Sequence, residues 1–322
     1  MQGKIALEEH FVPRGLESCI AAAGWDDDAW RRVIASLQDV DGRRLEEMDR
    51  NGIERAVLSL GSDGIQAIAS VEEAGATARR ANDALAEVVR ARPDRYAGFA
   101  AVALQDPCGA ADEAARAVRE CGLHGVLVNG YSDLGADRVR YYDEPECLPF
   151  WEAIDELSVP VYLHPRNPMP DQRRIYSGRE ELLGAPWAFA VETGTHALRL
   201  ITSGLFDRFP GLVVILGHLG EHIPFDLVRL SQRIANKKML SMSRSPRELF
   251  RENFFITTSG NPNTAALLAA LLEVGADRIM FAADYPFEET KEVSDWLDGL
   301  PITETDRRKI GHENAARLLG LD

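Results

Sequence analysis

The chain has 322 residues, 45% hydrophobic and 27% charged, with a formal net charge of -15. This is the balance of a globular protein long enough to bury a large core. So acidic a surface repels nucleic acid and anionic membrane, which sets both aside as partners. A free anionic substrate would be repelled too, so a site for an acid needs local positive charge from a metal ion or arginines. Cys19, Cys108, Cys121 and Cys147 form no CxxC pair, and the first residues carry no secretory apolar stretch. They read as reduced thiols of a cytoplasmic protein. No run approaches the ~18 apolar residues of a membrane span.

In chain order, short apolar runs flanked by breakers are predicted as strands at Lys4–Leu7, Ile53–Leu60, Tyr96–Val102, Gly125–Val128, Val159–Leu163, Leu212–Leu216, Phe254–Thr258 and Arg278–Ala283. Helical stretches fill the gaps: Arg43–Arg50, Val71–Arg90, Ala110–Glu120, Leu148–Leu157, Phe189–Leu205, Pro224–Asn236, Thr264–Val274 and Asp306–Leu319. Eight strands alternating with eight helices argue for an α/β fold whose parallel sheet closes as a (β/α)8 TIM barrel. The open doubly wound alternative lacks a GxGxxG after the first strand. With no linker and no repeat at solenoid period, residues 1–322 read as a single barrel domain. Long loops are expected at about 11–38 and 165–187.

Polar residues stand where the apolar strands stop. Glu8 and His10 follow the first run and, two apart, share one face, with Glu9 on the other. A carboxylate and an imidazole placed this way can chelate a divalent cation. Asn129, His164, His218, Thr257, Ser259 and Asp284 mark other strand ends. In a barrel these ends meet on one rim, where active sites lie. The long loops carry Phe11, Trp25 and Trp30, then Arg166 and Trp187. These aromatics either cover a flat apolar ligand or pack the loops down. The stretch from Asp226 to Arg251 is basic against the acidic trend and, lacking interleaved aromatics, suits a solvated helix face or a subunit contact. Within it Arg229, downstream of His218, is a candidate carboxylate clamp, within the chain or across a subunit boundary. His124, His196 and His312 lack such context and read as structural; His222 is a borderline pocket residue.

Glu8-x-His10, His164-Pro165-Arg166-Asn167-Pro168, Gly217-His218-Leu219-Gly220-Glu221 and Asp284-Tyr285-Pro286-Phe287-Glu288 together resemble the amidohydrolase superfamily. Over nearly the whole chain the pattern is similar to the non-oxidative hydroxybenzoate decarboxylases: first the γ-resorcylate (2,6-dihydroxybenzoate) group, next the 2,3-dihydroxybenzoate group. Glu8-Glu9-His10-Phe11 favours the first, whereas Asp284-Tyr285-Pro286 and His222-Ile223-Pro224-Phe225-Asp226 lean toward the second. The resemblance implies one divalent metal ion, Zn or Mn, held by Glu8, His10, His164 and Asp284. It further implies catalytic roles for Asp284, His218 and Glu221, a pocket lined by Asn129 and Trp187, and a homodimer or homotetramer. Phe11 and Arg229 complete the expected substrate contacts. The expected reaction is carboxy-lyase chemistry on a small aromatic acid, with Asp284 protonating the ring carbon and His218 orienting it or sharing its proton.

Two other readings use the same residues. A mononuclear metal-dependent hydrolase would open a lactone or amide with Asp284 as base. Against a binuclear one, the fourth strand ends in Val128-Asn129 with no bridging lysine. A barrel that binds a metal without turnover is the remaining alternative.

Overall fold

A computed structural model describes residues 1–21, 26–235 and 242–321. Trp25, Asn236 at the end of the expected helix Pro224–Asn236, and residues 237–241 of the basic stretch lie outside the described residues.

The strands, in chain order, are β1 (Lys4–Phe11), β2 (Ile53–Leu60), β3 (Tyr96–Gly98), β4 (Ala100–Ala101), β5 (Val126–Asn129), β6 (Ser132–Gly135), β7 (Arg138–Arg140), β8 (Val161–His164), β9 (Val214–Leu216), β10 (Phe254–Thr257) and β11 (Ile279–Met280). Hydrogen bonding runs β1-β2-β3 in one sheet and β11-β10-β9-β8-β5-β4 in another, all parallel. β3 and β4 are one interrupted strand that changes partners at Phe99: the Phe99 amide donates to the Leu58 carbonyl and the Ala100 amide to the Gly125 carbonyl. The other seam closes where the Leu7 amide donates to the Phe281 carbonyl (3.1 Å) and the His10 amide to the Tyr285 carbonyl (2.9 Å). The ring of parallel strands therefore closes on itself.

Inward residues form an apolar plug of Ile5, Leu7, Val57, Phe99, Tyr162 and Met280 with their neighbours, sealed at one end by Ala315, Ala316, Leu319 and Leu321. A second and larger layer packs the outward faces against the helices. Several helices start at a side-chain cap. Ser245 and Glu248 form a reciprocal capping box ahead of Pro246–Asn253, and Ser70 caps Val71–Ala91.

Several features depart from the sequence expectation, and the helices Pro246–Asn253 and Thr290–Gly299 fall outside every stretch expected to be helical. The region expected as a loop at 11–38 contains a helix, Asp27–Gln38, which Asp26 caps by accepting from the Asp28 and Ala29 amides. Its Trp30 packs on the cluster of Val12, Leu16 and Leu37, so that aromatic fastens the segment down. β6 and β7 form an antiparallel hairpin after β5 that no periodicity announced. Finally, β1 does not stop at Leu7 but stays paired through Phe11, with His10 opposite Ser59 and Phe11 opposite Leu60.

Candidate metal centre and active site

The site begins with a bulge in β1. Ala6 pairs with Ala56 and Glu9 with Leu58, so three steps on β1 match two on β2. Leu7 belongs to the interior plug, and the carboxylate of Glu8, the very next residue, also lies inside, against Tyr162. The extra residue reverses the alternation of faces, a common way to re-aim side chains at a site. Glu8 and His10 then face the barrel axis on top of the plug, while Glu9 and Phe11 face outward. Glu9 accepts from the Ala283 amide at 2.8 Å and ties β1 to the chain after β11; burial pushes its carboxyl up to about 8. Fully buried Arg44 holds the His10 carbonyl from outside the ring at 2.6 Å.

His164 ends β8, directly across from Asn129 on β5. Asp284 follows β11, and His218 follows β9. Glu8, His10 and His164 bring donor atoms within 4.8 Å of one another, as do Glu8, His218 and Asp284. Glu8 Oε1 stands 3.1 Å from His164 Nε2, 3.9 Å from His10 Nε2 and 3.9 Å from His218 Nε2. Asp284 Oδ1 is 3.3 Å from His10 Nε2.

These contacts test whether an ion belongs here. His164 Nδ1 lies 3.0 Å from the Pro165 carbonyl, an acceptor only, so that nitrogen carries a proton. In the neutral ring Nε2 is then a lone pair aimed at Glu8 Oε1. Glu8 Oε1 is buried and makes no well-formed hydrogen bond. Two lone pairs face each other at that distance only with a cation or a proton between them. Mixed imidazole and carboxylate donors suit Mn or Zn, so Glu8, His10, His164 and Asp284 fit a divalent ion.

His218 has a different setting. Its Nδ1 is 2.7 Å from Glu221 Oε1, which fixes the ring. Burial alone would push the His218 imidazole down, but the charges of Glu221 and Glu8 hold it well above the usual range. Burial would likewise push Glu8 and Asp284 up; His218 and His164 outweigh it at Glu8, and His10 and His218 at Asp284, holding both carboxyls below their ordinary range. The backbone is in the left-handed region at His218 (φ 52), Glu221 (φ 51) and Asp284 (φ 63). Strain of this kind gathers at functional sites.

A cavity of ≈ 230 Å³ opens beside this cluster, lined by His218, Glu221, Gly260, Asn261, Pro186 and Phe189 among others. Drug-sized ligands fill about 300–1,000 Å³, so this space suits a smaller molecule. Trp187 stands at its edge, half exposed, with its ring 5.2 Å from that of His222. Asn129 is buried next to His164, and its Oδ1 has no hydrogen-bond partner among the described residues.

Two expected substrate contacts are not brought to this cluster. Phe11 lies on the outward side of β1, buried with Met48 and Ile53 in the layer under the helices, because the bulge turned it away. Arg229 is exposed on the helix Ile223–Ala235 and lines an outer groove of ≈ 380 Å³, which shares Ala190, Glu221 and His222 with the site cavity. Sequence patterning passed over Gly260. A Cβ there would fall 2.8 Å from His218 Cδ2 and 3.0 Å from Asp284 Oδ2, so the missing side chain lets those two groups approach. A glycine directly after a strand-end serine was the only available sign.

The profile of a family described as amidohydrolase matches residues 11–321. A γ-resorcylate decarboxylase of a Rhizobium species is 49% identical, covering 100% of this chain and 99% of that protein. The crystal structure of a dihydroxybenzoic acid decarboxylase from a Polaromonas species, with bound manganese and the inhibitor 2-nitroresorcinol, superposes with a TM-score of 0.96 at 48% identity over 100% of this chain and 98% of that one. A 2,6-dihydroxybenzoate decarboxylase complexed with 2,6-dihydroxybenzoate gives 0.95 at 48% identity over 99% and 100%.

Proposed function

The chain belongs to the amidohydrolase family, and from that premise we propose that it removes CO2 from an ortho-hydroxybenzoate of the 2,6-dihydroxybenzoate type, leaving a phenol. It is a carboxy-lyase of the TIM-barrel amidohydrolase superfamily and depends on one divalent metal ion. Its substrate is a small aromatic acid. The hydrolase alternative is not favoured, since the full-length relatives at this level of identity are named as decarboxylases.

The geometry supports the following residue roles. The observation that carries them is the meeting of Glu8, His10 and His164, with Asp284 Oδ1 3.3 Å from His10 Nε2 and the His218–Glu221 pair alongside. When bound, the divalent ion supplies positive charge that orients and neutralises an acidic phenol-carboxylate. Aryl decarboxylation fails unaided because the electrons of the breaking C–C bond have no sink in the ring plane. Protonating the carbon that bears the carboxylate creates one. Asp284 delivers that proton. It rests as a carboxylate, held so by its imidazole neighbours against the opposing effect of burial, and takes its proton from the ortho phenol as substrate enters. The ring carbon then receives this proton, the C–C bond breaks, CO2 leaves, and the electron pair restores the aromatic ring as a phenolate. His218, pinned by Glu221, orients Asp284 and places a positive charge beside the developing anion. Asn129 offers its free Oδ1, and Trp187 shields the ring.

The assembly is proposed as a homodimer or homotetramer. Phe225 and Val228 are exposed on the helix that carries Arg229, which supports that face as a subunit contact and Arg229 as a clamp acting across it. Four free thiols fit a cytoplasmic location.

Incubation with Mn(II) and 2,6-dihydroxybenzoate tests the activity, with CO2 and the phenol quantified together. The expected products are CO2 and resorcinol in equal amounts. Equal turnover of 4-hydroxybenzoate, which lacks the ortho hydroxyl, would contradict the mechanism.

A further inference from the structure

We propose that Tyr162 is the positioning residue for the Glu8 ligand: its phenol holds one carboxylate oxygen so that the other alone is presented to the metal ion. The inference rests on the functional reading above and extends it into the barrel beneath the site.

Tyr162 comes from the middle of β8, two residues before His164, and points into the apolar plug. Its hydroxyl donates to Glu8 Oε2 and lies 2.9 Å from Thr257 Oγ1. All three side chains are fully buried. The direction of the chain can be assigned. An ionised Glu8 Oε2 can only accept, so the Tyr162 proton goes to it, and Thr257, which accepts from the Ser259 amide, donates its own proton to the Tyr162 oxygen. Glu8 Oε1 is left without a well-formed hydrogen bond and faces His10, His164 and His218. One oxygen is thus bound from below while its twin is kept free above.

Gly217 provides an independent sign that room is kept for this pair. A Cβ at Gly217 would fall 2.8 Å from Glu8 Oε2 and 3.2 Å from the Tyr162 hydroxyl. Its φ of -70 is open to any residue, so close approach rather than backbone freedom requires the glycine. A phenol in an otherwise apolar plug is costly unless bonded. A phenylalanine would fill the same volume without that demand. The tyrosine is explained by its hold on Glu8: a group that restrains a ligand carboxylate typically contributes about 10–100-fold to ion affinity.

The test compares wild-type protein with Tyr162→Phe, Thr257→Val and Gly217→Ala. Each is stripped with a chelator and titrated with Mn(II), with free and bound ion followed by electron paramagnetic resonance. For Tyr162→Phe the expected result is binding weaker by about 10–100-fold, a changed spectrum of the bound ion, and an unchanged far-ultraviolet circular dichroism spectrum. Gly217→Ala should weaken binding as well, and Thr257→Val should do so to a smaller degree. A folded Tyr162→Phe protein with wild-type affinity and spectrum overturns the proposal. Should that variant not fold, Thr257→Val decides, and wild-type affinity there overturns it equally. A wild type that binds no Mn(II) overturns the functional reading itself, which separates the two failures.

Discussion

The two ends of the same barrel are built on opposite terms. At one end Ile5, Val57, Met280 and the C-terminal Ala315 and Leu319 close the interior with apolar contact. At the other the same strands run into Glu8, His10, His164 and Asp284, with left-handed backbone and buried polar atoms that lack partners. The closed end sustains the fold and gains nothing chemically. The open end holds charges in a buried setting and costs stability, which the plug below offsets. Tyr162 is the junction, an apolar ring in the plug with a hydroxyl on the site.

Substitutions at either end should separate these terms. The largest expected effect is at the open end. Asp284→Asn should lower kcat by about 10²–10⁴-fold, the usual share of a general acid, while 2,6-dihydroxybenzoate still binds and the melting temperature changes little. Steady-state kinetics with a thermal melt checks both. At the closed end the pattern should reverse. Met280→Ala removes a fully buried side chain and should destabilise by about 2–5 kcal/mol. In urea titration the midpoint should fall, while kcat of the folded fraction stays within a few-fold of wild type. A large kcat loss there would blur the division.

A smaller effect is expected at Gly260. Gly260→Ala puts a side chain at φ 55, against His218 and Asp284. It should cost about 1–2 kcal/mol and also reduce kcat, because the intruding methyl separates the two groups. An unchanged kcat would mean their approach is not needed.

A further effect is a pH dependence away from the site. Burial pushes the His196 imidazole down to about 3, where its Nε2 accepts from the Tyr142 amide at 3.1 Å. The unfolded chain takes up that proton near pH 6.5 and the folded chain does not. Its contribution is therefore complete above about pH 6.5 and declines toward pH 3, by up to about 1.4 kcal/mol per unit. The stability gap between wild type and His196→Gln, from urea melts at pH 7.5 and 5, should narrow at the lower pH. A constant gap would contradict the assignment.

Much of the open end was legible because its chemistry sits at strand ends, where a short apolar run halts at a histidine or a carboxylate. His164, His218 and Asp284 stand out for that reason. The closed ring was legible from the alternation of strands and helices. What escaped arises from local departures from period. The bulge between Ala6 and Glu9 leaves no mark in composition, yet it turned Phe11 outward and placed Glu8 above Leu7. The break at Phe99 and the hairpin β6–β7 come from tertiary pairing. Arg229 looks near His218 in sequence, but its helix carries it to the outer groove. Tyr162 read as one more apolar strand residue, because only its hydroxyl departs from the plug.

The proposed function requires one divalent ion gripped at the open end by side chains from three separate strand ends. Elemental analysis and Mn(II) titration of the chelator-stripped wild type, beside His164→Ala, test it most directly. One ion bound per chain, with decarboxylation returning in step with occupancy, and weak or no binding in His164→Ala, is the result expected here. Full decarboxylation by the metal-stripped protein, or undiminished binding in His164→Ala, would contradict it.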